Sequence, residues 1–216
     1  MILVDLDGTL VDSVPDLAWC VDELMQRLGR PVWGEAKVRT WVGNGVDRLV
    51  KRALTGEMHA EPDPALFEEA IAIYSALYQD NNAVRSRLFP GVKEGLVHLQ
   101  GAGFKLGCVT NKAARFTEPL LRDLGIRDHF GIVVSGDTTP QKKPHPAPLL
   151  HAAEFFKVPP ERALMLGDSR HDVEAARAAG FAVVCVSYGY NHGEDIRTAG
   201  PDAVIDSFTE LPGLFA

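Results

Sequence analysis

Cysteine is scarce in this chain. Cys20, Cys108 and Cys185 are the only three, an odd count spread widely, so neither a disulfide framework nor a zinc-type spacing is suggested. Each sits in an apolar stretch and reads as a small buried hydrophobe. Positive charge is also in deficit: 22 Lys and Arg stand against 29 Asp and Glu, a formal net charge of −7. No basic face offsets that balance, which argues against nucleic acid as a partner. A few local cations or a metal can still reverse the potential inside a cleft and admit a small anion. Long hydrophobic runs are missing too. The apolar start of MILVDLDGTL is far too short for a signal peptide or a membrane span, so a cytoplasmic location and no membrane partner are expected. Neither an internal repeat nor a low-complexity tract is present. What remains is an ordinary composition, 46% hydrophobic and 24% charged over 216 residues, long enough for one domain with a sizeable insertion or two unequal domains.

The apolar run Ile2 to Leu6, interrupted by Asp5 and closed by Gly8, predicts a buried strand ending in a loop. Ser13 offers an N-cap with Asp16 three residues on, and Leu17, Val21, Leu24, Met25 and Leu28 follow at helical spacing up to Gly29. Helices are expected over Glu35–Trp41, Val46–Leu54 and Pro64–Asp80, with no convincing strand from Val14 to about Asn82. After Phe89–Pro90–Gly91 the pattern alternates. Helices Val92–Gln100, Ala113–Leu124, Pro146–Phe156 and Asp172–Ala179 are interleaved with strands Lys105–Val109, Gly131–Val134, Ala163–Leu166 and Ala182–Val186, and Ala203–Ile205 closes the series. Such alternation implies an α/β fold, a doubly wound parallel sheet covered on both faces. The expected division is a Rossmann-like core from residues 1–13 and 83–216, with residues 14–82 forming a small α-helical cap inserted after the first strand.

Ligands of open parallel sheets bind beyond the carboxyl ends of the strands. The residues found there are Asp5 and Asp7, then Thr110 and Asn111, then Ser135 to Asp137, then Asp168 and Ser169. Asp5 and Asp7 can turn to the same side at a strand end. Two crowded carboxylates need a cation, and Mg²⁺ takes one or two carboxylates plus waters and substrate phosphate; Asp168 supplies a further acidic ligand. Gly8 permits close backbone approach to a ligand. Asp5 can act as nucleophile and Asp7 as the acid that protonates the leaving oxygen and later activates water. Alone, such a D-x-D is an acidic turn; the set is what carries the reading. Thr110 and the backbone N–H of Asn111 could donate to phosphate oxygens. A lysine from Lys142–Lys143–Pro144 could reach inward, and Lys143, next to the proline, is the better choice although the residues alone do not settle it.

Asp5-Leu6-Asp7-Gly8-Thr9, then Thr110, then Lys143-Pro144, then Gly167-Asp168-Ser169-Arg170-His171-Asp172 resembles, in order and spacing, the four motifs of the haloacid dehalogenase superfamily. The match covers almost the whole chain, and the helical block looks like that superfamily's small cap. Val11-Asp12-Ser13-Val14-Pro15, Trp41-Val42-Gly43-Asn44-Gly45 and Ser187-Tyr188-Gly189-Tyr190-Asn191 narrow the resemblance to its phosphoglycolate phosphatases. The resemblance implies that Asp5 is the nucleophile, Asp7 the acid and base, and that Thr110 and Lys143 hold the phosphoryl group, with Gly8, Thr9 and Asn111 lining the substrate. It also implies Mg²⁺ on the side chains of Asp5 and Asp168 and the backbone oxygen of Asp7, with Ser169 and Asp172 behind them orienting the metal waters or Lys143. Two positions depart from the pattern: Val4 stands where Phe is usual, and only four residues precede Asp5.

A core that recognises only phosphate, metal and water cannot choose a substrate, so selectivity falls to the cap. The Gly43–Asn44–Gly45 loop opens a helix with Arg48 in its first turn, and a helix N-terminus favours an anion; a solvated Arg48 and a plain turn are the duller alternatives. None of the seven histidines is needed. The expected partner is a small phosphorylated metabolite, on a monomer or homodimer. A sugar-phosphate phosphatase acting on, for example, N-acetylmuramate 6-phosphate, and a phosphosugar mutase, keep the same core chemistry. A non-catalytic metabolite-binding regulator is disfavoured because Asp5, Asp7, Lys143 and Asp168 are all retained.

Overall fold

The computed structural model describes residues 1–215. The chain runs through β1 (Ile2–Val4), β2 (Val11–Asp12), α1 (Val14–Arg27), α2 (Glu35–Arg39), α3 (Val46–Thr55), α4 (Pro64–Asn81) and β3 (Arg87–Leu88). It continues through α5 (Val92–Gly101), β4 (Leu106–Val109), α6 (Ala114–Asp123), β5 (Ile132–Val134), α7 (Ala147–Phe156), β6 (Leu164–Gly167), α8 (Arg170–Ala179), β7 (Ala182–Val186) and β8 (Ala203–Ile205). Six strands form one sheet in the order β5-β4-β1-β6-β7-β8, parallel throughout.

The continuous apolar runs are explained by burial on both faces. Alternate residues Ile2, Val4, Leu106, Cys108, Leu164 and Leu166 enter one core with Val92, Leu96 and Leu99 of α5 and Leu120 and Leu121 of α6. Leu3, Val109, Met165, Val183 and Cys185 face the other way, against Leu149 and Ala152 of α7 and Val173 and Ala176 of α8. All three cysteines are free and buried, as their settings implied. The strand order reverses at β1, so the loops after β1, β4 and β6 open into one crevice.

Helices α1 to α4 bury a separate apolar cluster, built on Leu17, Val21, Leu24, Trp41, Leu49, Val50, Tyr74 and Tyr78, with Phe116 and Tyr190 joining it from the sheet body. The two crossings between block and body pair with each other, β2 antiparallel to β3, Val11 opposite Leu88 and Asp12 opposite Arg87. This short ladder was not expected from sequence, because two-residue strands carry no periodicity. The Ser13–Asp16 capping box does not form: Ser13 makes no side-chain cap. Asp16 is fully buried and accepts instead from Arg85 N at 2.8 Å, Ser86 N at 2.8 Å and Ser86 Oγ at 2.6 Å. Four donors in a dry setting, counting the Arg85 guanidinium at 3.4 Å, outweigh one helix-end amide. The capping box lies elsewhere, between Ser169 and Asp172, and it starts α8 at Arg170, two residues before Asp172, where sequence placed the helix start.

Candidate active site

Asp5 is the first residue beyond β1, Thr110 the first beyond β4 and Asp168 the first beyond β6, so backbone pairing of β1 with both neighbours sets their spacing. Lys143 arrives from the loop between β5 and α7. It is buried where Lys142 is exposed, which settles the choice between them. Its Nζ lies 2.8 Å from Asp5 Oδ1 and 2.6 Å from Asp172 Oδ1, and it donates to Val109 O at 2.8 Å. Burial pushes the Asp5 carboxyl up to about 7; Lys143 pulls against that shift and Asp172 adds to it. Asp168 is likewise held well above the ordinary carboxylate range by burial first, then by Asp5 and Asp172. Burial opposes the Lys143 charge, but Asp172 and Asp5 outweigh it and raise its pKa.

Oxygens of Asp5, Asp168 and Asp172 lie within 4.8 Å of one another. Asp172 is committed: Oδ1 takes Lys143, and Oδ2 accepts from Ser169 N at 3.1 Å and Ser169 Oγ at 2.7 Å. Asp5 Oδ1 is buried and, apart from its ion pair with Lys143, meets no hydrogen-bond donor in line. Asp168 is aimed by Thr9 Oγ1 at 2.9 Å on Oδ1 and by Tyr190 N at 2.7 Å on Oδ2. A crowded all-oxygen set with an unfilled acceptor fits a hard divalent cation on Asp5 and Asp168, with Asp172 outside holding Lys143. Two glycines make room for this arrangement. A Cβ on Gly8, whose φ is +90°, would stand 2.3 Å from Asp168 Oδ2, and one on Gly189 would stand 2.1 Å from Asp168 Cβ.

A narrow cavity of about 40 Å³ joins Asp5, Asp7, Thr110, Asn111, Lys143, Asp168 and Ser169 to Gly43 and Gly45 of the helical block. Asn111 bridges the two, its Nδ2 donating to Gly43 O at 3.1 Å and Lys143 O at 3.0 Å. Four expected substrate contacts are placed differently. Gly8 and Thr9 serve Asp168 and do not line the cavity. Asn44 points into a neighbouring cleft, between His171 Nε2 at 2.7 Å and Arg52 at 2.8 Å. Arg48 turns outward to Glu61 at 2.9 Å, because the face of α3 that packs inward is given to Leu49, Val50 and Ala53.

Sequence reasoning missed several lining residues. Lys112 is buried with Nζ 3.0 Å from Asp7 Oδ1 and 3.2 Å from Oδ2; its place directly after Thr110–Asn111 was the available signal. His171, left without a role from sequence, lines the cavity, and burial lowers its pKa. Leu17, Val42, Val46 and Leu49 supply apolar walls from the helical block, and only the fold could show which face of each helix they occupy.

A family model described as haloacid dehalogenase-like hydrolase matches residues 2–186. The chain belongs to the haloacid dehalogenase-like hydrolases. This hydrolase is 62% identical over 216 residues to a phosphoglycolate phosphatase of Nitrosococcus oceani, covering 100% of this chain and 96% of that protein. A phosphoglycolate phosphatase of Thiobacillus denitrificans is 51% identical over 97% of this chain and 92% of its own. Among solved structures, a predicted phosphoglycolate phosphatase from Haemophilus somnus superposes with a TM-score of 0.94 at 36% identity, covering 100% of this chain and 97% of that one. CbbY from Rhodobacter sphaeroides, in complex with phosphate, gives 0.80 at 28% identity over 97% and 95%. The hydrolase is thus an enzyme of phosphoric monoesters, similar to the phosphoglycolate phosphatases. None of its described helices is long and apolar enough to cross a membrane.

Proposed function

We propose that this hydrolase converts 2-phosphoglycolate to glycolate and phosphate through an aspartyl-phosphate on Asp5, with Mg²⁺ as cofactor and α1 to α4 acting as a cap. The observation that carries the reading is the shape and lining of the cavity. Its sheet end holds the carboxylates and lysines, and Leu17, Val42, Val46 and Leu49 close the other end. Those four side chains offer no hydrogen-bond partner to a sugar hydroxyl and suit a leaving group of a few atoms, with His171, Tyr190 and Asn191 as the further polar lining. The names of the full-length relatives support the same substrate.

In this mechanism an Asp5 carboxylate oxygen bonds to phosphorus as the bond from phosphorus to the leaving oxygen breaks, and Asp7 gives that oxygen a proton. Asp7 then takes a proton from water, the water oxygen bonds to phosphorus, and the Asp5–phosphorus bond breaks to release phosphate. Lys143 offsets the Asp5 charge that would repel an incoming phosphate, and it shares the phosphoryl oxygens with Thr110. Mg²⁺, held by Asp5, Asp168 and the backbone oxygen of Asp7, would supply neutralising charge at those oxygens. Cap closure keeps water from the first step.

Phosphate release from 2-phosphoglycolate, hexose phosphates, N-acetylmuramate 6-phosphate and a nucleotide, with Mg²⁺ or EDTA and for wild type and Asp5→Asn, tests the proposal. The expected result is a preference for 2-phosphoglycolate of roughly tenfold or more, abolished by EDTA and by Asp5→Asn. A faster sugar phosphate would replace the substrate, and metal-independent release or an active Asp5→Asn would overturn the chemistry.

A further inference from the structure

We infer that Lys112 binds the carboxylate of the leaving group and is the residue that selects 2-phosphoglycolate over phosphate esters without that charge. The inference rests on the reaction proposed for this site. Lys112 and Lys143 are the only Lys or Arg side chains lining the cavity among the described residues. Lys143 belongs to the phosphoryl end: its ammonium meets Asp5, Asp172 and Val109 O, and it sits where phosphorus must arrive. Lys112 sits at the other carboxylate, Asp7, and its Nζ lies 4.9 Å from the centre of the Tyr78 ring of α4. That aromatic face and the burial of the side chain hold the charge in one place inside the site.

The chemistry of the substrate then fixes who meets its carboxylate. Asp7 must come within about 3 Å of the leaving oxygen to pass it a proton, and Lys112 Nζ is 3.0 Å from Asp7. In 2-phosphoglycolate a single carbon separates the leaving oxygen from the carboxylate, so the group beside Asp7 is the group beside that carboxylate. The two arginines of α3 cannot take this part. Arg48 is paired with Glu61, and Arg52 donates to Asn44 Oδ1, Trp41 O and Met58 O on the side of the neighbouring cleft. A desolvated ammonium meeting a carboxylate is a strong, selective contact. A neutral ester presents no such partner.

The test compares kcat/KM for 2-phosphoglycolate and ethyl phosphate, which share the reacting bond, in wild type, Lys112→Met and Lys112→Arg. Lys112→Met disturbs Asp7 as well, so the reading is the ratio between substrates. That ratio should fall about tenfold or more in Lys112→Met, as loss of a charge-assisted bond implies, and be largely kept in Lys112→Arg. Should Lys112→Met fail to fold, inhibition by 3-phosphonopropionate and by propylphosphonate serves instead. The carboxylated compound should bind wild type about tenfold more tightly, and Lys112→Gln, which keeps a donor for Asp7 without the charge, should close that gap. Equal losses on both substrates, or an unchanged gap between inhibitors, would show that Lys112 serves Asp7 alone and would overturn the inference while leaving the substrate intact. A wild type that prefers ethyl phosphate would instead remove the substrate, and the inference with it.

Discussion

Without a cation, the site must keep Asp5, Asp168 and Asp172 together with only Lys143 between them. Burial answers by holding Asp5 protonated up to about 7. The unfolded carboxyl titrates near the ordinary value of 3.8, so between that pH and about 7 the folded chain binds more protons than the unfolded one, and stability falls as pH rises. In the metal-free protein the urea midpoint should therefore drop between pH 5 and pH 7.5, with the slope flattened in Asp5→Asn. Mg²⁺ bound as proposed would compete with those protons, so its stabilising effect should be larger at pH 7.5 than at pH 5; a midpoint independent of pH in EDTA would contradict this. Gly189 tests the packing of the neighbouring ligand. In Gly189→Ala the new methyl would displace Asp168, whose Cβ is 2.1 Å from that position, so the Mg²⁺ concentration for half-maximal activity should rise about tenfold. A loss of about 1–3 kcal/mol in stability should accompany it.

Two S-x-x-D runs, Ser13 to Asp16 and Ser169 to Asp172, look alike in sequence and behave differently as elements. Asp172 caps α8 because nothing better competes for its Oδ2, whereas Asp16 is drawn to the returning strand by Arg85 and Ser86. Local pattern thus placed every strand of the main sheet and every described α-helix to within about two residues, but not the short 3-10 turns or the β2–β3 crossing, which pairs Val11 with Leu88 and Asp12 with Arg87. Tyr190 reinforces that crossing: its hydroxyl accepts from Ser13 N at 2.9 Å and donates to Asp12 Oδ1 at 2.8 Å, while its own N–H holds Asp168. Asp16→Asn keeps the shape but turns an NH₂ donor on the amides of Arg85 and Ser86, and should cost about 2–4 kcal/mol by urea unfolding. Wild-type stability in that variant would mean that water replaces the clamp.

For the molecule as a whole, the sheet end of the cavity was legible and the end lined by the block was not. Asp5, Thr110 and Asp168 stand at strand ends that hydrophobic runs reveal, and Lys143 is marked by the motif about it. Leu17, Val42, Val46 and Leu49 come from three separate stretches of the block whose inward faces depend on how α1 to α4 pack. That packing also bears on access. The block's apolar cluster takes in Phe116 and Tyr190 from the sheet body, and β2, β3 and polar contacts such as Asn44 with His171 and His192 with Thr40 O at 3.0 Å add to the joint. The cavity is lined by both the block and the sheet body, so parting of these contacts and flexing of the crossings would widen the way in for a substrate. Trapping the site with Mg²⁺ and a phosphate mimic such as vanadate should then slow amide exchange at Ser13, Val14, Arg85 and Ser86, none of which lines the cavity. Binding also draws from the closed fraction, so exchange should slow in proportion to saturation. Slowing limited to residues around Thr110 and Asp168 would mean that the block is a fixed wall and that entry runs by another route.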